Sequence, residues 1–370
     1  MAITQQLHID DTHDALVRFL QFSPDGKSLV TSSWDRKSFI LHVGDSKFLH
    51  ERTLAHPPGP GFMNQLEWSP EGDKLLMRRS RCVTVWNRVG ECICNHQQSP
   101  TDHPVRSVAW LTNEEGSKVV VMDTKGEELR HYRVDNLLLR DIVITSDKTW
   151  MVCVGTHDDD KSPRKKNQII LYNLVARRII KRSLVYHEIC DITLACDGRS
   201  ALVSYENKAP SQLWELVLQR NNQDLVLRHT YMPKVPTTFA GLPSIFGGSH
   251  DQLILRASTA GDIYVWDRDS ATLLHQIHVP TRLGHLTSFA WNRAASDSWM
   301  FVTGSHEGAV YIWTTPTDEV PRVVVPAPTR LDSRFHVSKF ATLGFISSRN
   351  YLYLWVWGPH GESVGARDVR

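Results

Sequence analysis

Phe19-Leu-Gln-Phe-Ser-Pro-Asp-Gly26 and Leu66-Glu-Trp-Ser-Pro-Glu-Gly72 are two versions of one pattern. Each is a short apolar alternation running into a Pro-Asp/Glu-Gly turn, which is how a strand enters a hairpin. Weaker copies follow at Ser107-Val-Ala-Trp110, Ile142-Val-Ile-Thr-Ser-Asp147, Ile192-Thr-Leu-Ala-Cys-Asp-Gly198, around Phe246-Gly247-Gly248, and at Phe289-Ala-Trp-Asn292. With Pro24, Pro70, Thr112, Ser146, Cys196, Gly248 and Arg293 as equivalent points, the steps are 46, 42, 34, 50, 52 and 45 residues. They average about 45, at the long edge of the spacing of one four-stranded propeller blade.

Two further markers recur in order. A strand ending in an aromatic and a polar residue reads Val83-Thr-Val-Trp-Asn87, Ile169-Ile-Leu-Tyr-Asn173, Gln212-Leu-Trp-Glu215, Ile263-Tyr-Val-Trp-Asp267 and Val310-Tyr-Ile-Trp-Thr314. This β-branched, aromatic alternation suits a half-buried third strand. A histidine precedes the first strand at His13, His56, His103 and His285, placed to hydrogen-bond toward a turn aspartate; Asp35 and Asp262 are expected to be such aspartates. Seven copies therefore predict an all-β, seven-bladed WD40 β-propeller over residues 1–314. One blade cannot cover both its faces, and stacking blades around an axis covers every face with a neighbour. The last copy ends at Trp313 after three strands, while Ile3-Thr-Gln-Gln-Leu-His-Ile9 alternates ahead of the first copy. Residues 3–9 are expected to close the ring as the missing fourth strand.

Two places strain the pattern. The 34-residue step leaves the third copy short of a strand. Thr156 to Gln168 reads as a polar hairpin loop, acidic then basic, whose Ser162-Pro163 is a candidate phosphorylation site and whose basic half is a candidate nuclear-import signal. Residues 315–370 carry no repeat marker and read as a proline- and charge-rich linker followed by a non-propeller C-terminal tail.

Composition excludes several classes. Forty-two Lys and Arg against 40 Asp and Glu leave +2, so no strong field for nucleic acid or anionic membrane exists, although a local patch is compatible with it. Six cysteines in 370 residues do not make a disulfide framework, and MAITQQLHIDDTHD lacks the form of a signal peptide. A soluble, reducing, cytoplasmic or nuclear setting is expected. No phosphate-binding glycine loop and no His-Glu-x-x-His is present. Gly304-Ser-His-Glu-Gly308 has His306 where a nucleophile elbow needs serine, so it reads as a hairpin turn. Cys92 and Cys94 lack two further ligands for zinc. Neither enzyme activity, nor a cofactor, nor a metal is expected.

The candidate binding surface lies on the rim that carries the turns between second and third strands. There the first copy supplies Trp34, Arg36 and Lys37, and the second Arg78, Arg79 and Arg81. Arginine forks pair carboxylate or phosphate in two-pronged fashion, so this set points to acidic or phosphorylated peptides.

The stretches Phe246-Gly-Gly-Ser-His-Asp, Gly261-Asp-Ile-Tyr-Val-Trp-Asp-Arg268, Phe289-Ala-Trp-Asn-Arg293 and Phe301-Val-Thr-Gly-Ser-His-Glu-Gly-Ala-Val-Tyr-Ile-Trp313 resemble the WD40-propeller subunits of the GID/CTLH ubiquitin-ligase complex. The resemblance runs from about residue 3 to 314. Members of that family carry helical LisH and CTLH segments ahead of the propeller, and here the sequence opens on the expected closing strand. The resemblance implies a non-catalytic scaffold recruiting substrates or cofactors to ubiquitin-dependent degradation, with ligase subunits as partners. It transfers no individual binding residue. The competing reading is a generic WD40 adaptor in a signalling or chromatin complex.

Overall fold

A computed structural model describes residues 4–9, 12–44, 48–54, 56, 63–79, 82–97, 107–113, 116–122, 137–157, 166–206, 209–219, 222–239, 242–279, 285–295 and 299–314. His103, Arg81, most of the 156–168 loop and the whole 315–370 tail lie outside them.

Among the described residues, twenty-six strands make seven antiparallel sheets, six with four strands and one with two. Blade A is β2 (Val17–Phe22), β3 (Ser28–Ser33), β4 (Ser38–Val43) and β5 (Phe48–Leu54); blade B is β6 (Met63–Trp68), β7 (Lys74–Arg79), β8 (Cys82–Asn87) and β9 (Cys92–Gln97). The two-stranded sheet is β10 (Ser107–Asn113) and β11 (Gly116–Met122). Blade C holds β12 (Leu137–Ile144), β13 (Trp150–His157), β14 (Asn167–Asn173) and β15 (Arg178–Val185); blade D holds β16 (Ile189–Leu194), β17 (Ser200–Tyr205), β18 (Gln212–Gln219) and β19 (Asn222–Thr230). Blade E is β20 (Ile245–Gly247), β21 (Leu253–Ala257), β22 (Asp262–Asp267) and β23 (Leu273–His278). Blade F is β24 (Leu286–Trp291), β25 (Met300–Ser305), β26 (Val310–Thr314) and β1 (Thr4–Ile9).

The fold is a β-propeller, but the expectation of seven blades is corrected to six, each four-stranded, among the described residues. The third copy, which the 34-residue step leaves short of a strand, supplies the two-stranded sheet, and residues 123–136 between β11 and β12 lie outside the described residues. The closing strand is where the sequence put it. β1 pairs antiparallel with β26, Thr4 opposite Thr314 and Ile9 opposite Val310.

The recurrent turn is formed as its residues require. Gly26, Gly72 and Gly198 each take positive φ (+69°, +71° and +64°) at the last turn position, with their N–H donating to the carbonyls of Ser23, Ser69 and Ala195. Lys148 fills the equivalent place in blade C at φ +58°.

The core lies between blades, because alternate residues of each strand face opposite neighbours. In β3, Leu29 packs toward blade F with Val302 and Ile312, whereas Val30 packs toward blade B with Leu66, Leu75 and Trp86. Trp291, Phe301 and Trp313 stack in blade F with centroids 5.6 and 5.8 Å apart. Their crowding accounts for the Phe-Gly-Gly turn of blade E. A Cβ on Gly247 would lie 2.8 Å from the Trp291 ring and 2.6 Å from Leu255, so only glycine fits.

The first strands line the axis in succession. β2 contacts β6, β6 contacts β10, β10 contacts β12, β12 contacts β16, β20 contacts β24, and β24 contacts β2. Blades are also strapped together by polar links. Asp251, fully buried at the entrance to β21, takes the Arg293 guanidinium at 2.9 and 3.0 Å from blade F and the Cys196 N–H at 2.6 Å from blade D.

Candidate functional site

The rim of blade A is built on a histidine. His13 is buried below the β3–β4 turn, and burial holds its pKa under the ordinary value although Asp35 opposes this. The neutral ring donates Nδ1–H to the Asp35 carboxylate at 2.9 Å and accepts the Thr31 hydroxyl on Nε2 at 2.9 Å. Asp35 also accepts the backbone N–H of Asp14 (3.1 Å) and Lys37 (2.7 Å). One carboxylate thus fixes both ends of the turn, with Arg36 in the left-handed region at φ +68°. Gly308 presses on this entry from blade F: a Cβ there would stand 2.1 Å from the His13 carbonyl oxygen, and its φ is +98°.

The His–Asp pair expected from sequence is therefore present in blade A, but Asp262 is not its counterpart. In both turns a serine at the close of the second strand, Ser33 as the last residue of β3 and Ser258 just after β21, donates its N–H four residues ahead, to the carbonyls of Lys37 and Asp262. Asp262 accordingly occupies the Lys37 position, and Ala260 stands where Asp35 does. Asp262 instead faces the outer strand, pairing with His278 Nδ1 at 2.8 Å and accepting Gln276 Nε2–H at 3.0 Å. His56 departs too: its Nε2 meets Ser38 Oγ of blade A at 3.0 Å, and burial with the nearby Arg79 charge lowers its pKa to about 4.

The proposed cationic patch is only partly assembled. Trp34 is 44% exposed, and Arg36 and Lys37 are exposed beside it, with Lys37 paired to Asp14. Arg78 and Arg79 are not loop residues, as the sequence reading had them, but the last two of β7. The β7–β8 register pairs Arg79 with Cys82. Within that strand pair Arg78 is half-buried and Arg79 buried, with Arg79 Nη2 donating to Cys82 Sγ at 3.6 Å. Arg81 lies outside the described residues. The Gly304–Gly308 segment is a hairpin turn, as its residues indicated, with Ser305 N donating to Ala309 O.

The axial wall carries groups that no motif advertised. Glu67, Asp141 and Asp191 lie on β6, β12 and β16 and are each half-buried. Burial, reinforced by the Asp141 charge, pushes both Glu67 and Asp191 up to about 8. Asp141 is a strut: it accepts the N–H of Ile142 at 2.9 Å and of Ile192, in the next blade, at 3.2 Å. Among the described residues no set of three His, Cys, Asp or Glu side chains is placed to hold a metal ion. No helix among them is long and apolar enough to cross a membrane.

The closed ring, its Trp-ended third strands and its rim turns can now be set beside known proteins. A "WD repeat-containing protein 26 homolog" of Arabidopsis thaliana is 24% identical over 325 residues, covering 84% of this chain and 50% of its own length. "GID complex subunit 7" of Schizosaccharomyces pombe is 25% identical over 321 residues, covering 84% of this chain and 59% of its own. The chain resembles GID-type WD40 propeller subunits. It spans about half the length of the curated relatives it matches. No family model matches it. Among solved structures, the β-propeller domain of Cps50 (Swd1) from Myceliophteria thermophila superposes with a TM-score of 0.66 at 16% identity, covering 85% of this chain and all of that one. That likeness concerns the fold. WD40 propellers are protein-binding scaffolds, and the family is typically non-catalytic.

Proposed function

We propose that this propeller is a non-catalytic recruiting subunit of a GID-type ubiquitin ligase, bringing clients or cofactors to ubiquitin-dependent degradation in the cytoplasm and nucleus. The observation that carries the reading is a propeller in which the N-terminal strand pairs into the last blade, joined to its likeness to GID complex subunit 7. Trp34, with Arg36 and Lys37, is the contact for an acidic or phosphorylated segment: a half-exposed aromatic beside two cations on a turn that loses little entropy on binding.

Affinity purification from the native cell with mass spectrometry tests the assignment. Co-purification of RING-type ligase subunits is the expected result. Recovery of a different stable complex without them would overturn it.

A further inference from the structure

The rim between blades D and E holds a depression of about 660 Å³. Tyr186, His187 and Glu188 reach it from the loop entering blade D, Glu206 and Pro210 from the loop joining β17 to β18, and Thr238 from the loop entering blade E. Backbone bonds place it on the same rim as Trp34. Trp34 N–H donates to Leu16 O at 3.1 Å, and Glu206 N–H to Glu188 O and Thr259 N–H to Thr238 O do so at 2.9 Å each. Glu206 is thus blade D's counterpart of Trp34.

Three independent features converge there. The first is charge. A register shift in β12 between Leu139 and Asp141 re-aims Arg140, whose guanidinium pairs with Glu188 and stands 3.6 Å from Glu206. One cation serves two carboxylates. The Glu206 carboxyl consequently sits above its ordinary pKa, through burial and the Glu188 charge, with Arg140 only partly offsetting them. The second is Tyr186, whose relative exposure of 101% shows that it packs on nothing, an unusual place for a large aromatic. The third is a preformed wall. Arg256 crosses from β21, is wholly buried, and donates to the carbonyls of Tyr205 and Ala209 and to Ser211 Oγ, each at 2.8 Å. Its guanidinium lies 4.2 Å over the Phe239 ring. These bonds fix Tyr205, Ala209 and Ser211 beside Glu206 and Pro210, so this part of the wall is in place before a partner arrives.

We propose that this pocket receives a lysine or arginine side chain from an extended segment of a partner protein. The cation takes the place between Glu188 and Glu206 that Arg140 fills only in part, and its alkyl stem or guanidinium lies against Tyr186. An acidic peptide would meet two like charges, and an apolar one would desolvate both carboxylates without replacing their partners. The inference does not rest on ligase membership, and the pocket is separate from the Trp34 turn.

The test is fluorescence anisotropy of the full chain with acetylated hexalysine, hexa-arginine and hexaglutamate. At least one basic peptide should bind and hexaglutamate should not. The double substitution E188Q/E206Q should weaken binding about tenfold, the size expected for removing a close charge pair. Tyr186→Ala should weaken it about threefold and Tyr186→Phe should leave it unchanged. Asp269→Asn, on the opposite rim, should leave it unchanged too. Failure of both basic peptides to bind overturns the proposal. So does retention of binding by the double variant, or an equal loss in Asp269→Asn, which would mean net charge alone. Because Tyr186 packs on nothing, its variants decide the matter even if the double variant does not fold.

Discussion

In blade A the rim turn is fixed from beneath by His13 and Asp35, both within one blade and 22 residues apart. At the same place in blade D, Tyr205 and Ala209 are held by Arg256, reaching from the neighbouring blade across 51 and 47 residues. Blade A presents Trp34, Arg36 and Lys37; blade D presents Tyr186, Glu188 and Glu206. One backbone plan thus carries two rim surfaces of opposite charge, each with an exposed aromatic. The difference lies in where each turn finds its support. A local His–Asp pair leaves a sequence signature, whereas a lone arginine on another strand leaves none.

Breaking the two supports should show the contrast. Arg256→Met strands two buried carbonyls and a hydroxyl, and should cost about 3 kcal/mol of unfolding free energy by denaturant titration. Arg256→Lys, which keeps the charge but not the fork, should recover only part of it. Asp35→Ala should cost about 2 kcal/mol, as it frees His13 and two backbone N–H groups. A smaller loss for Arg256 than for Asp35 would break the comparison.

A pH experiment sharpens it at the axis. Glu67 holds its proton up to about pH 8 in the folded chain but releases it in the carboxylate range when unfolded. Its contribution is therefore fully present below about pH 4.5 and lost as pH rises toward 8. Glu67→Gln should flatten the fall in stability between pH 5 and 8, measured by urea unfolding at both ends. An unchanged slope would place that titration elsewhere.

The smallest stability effect belongs to the rim itself. Trp34→Ala should change the unfolding free energy by only about 0.5 kcal/mol, yet weaken capture of acidic partners. A large loss of stability would mean that Trp34 belongs to the core.

Much of this was legible in the sequence because propellers repeat. The Pro-Asp-Gly turn demands positive φ at Gly26, Gly72 and Gly198, the Trp-ended strands bury both faces, and the orphan alternation at residues 3–9 had one empty place to fill. What failed did so for local reasons. Asp262 lay in the right turn but two positions late, which only hydrogen-bond register distinguishes from Asp35. Arg78 and Arg79 looked like a basic loop because strand length is not written in charge; their pairing with Val83 and Cys82 makes them the end of β7. The blade D pocket combines residues from the loops of two blades with an arginine from a third segment, and no short motif joins them.

The whole account rests on a ring closed by its own N-terminal strand, and amide hydrogen exchange of β26 in the full chain tests that most directly. Flanked by β25 on one side and by β1 on the other, Val310 to Thr314 should exchange only with global opening, more slowly than the outer strand β5 at Phe48–Leu54. Exchange of Val310–Thr314 as fast as in β5 would show that β26 is an open edge, and would contradict the closure.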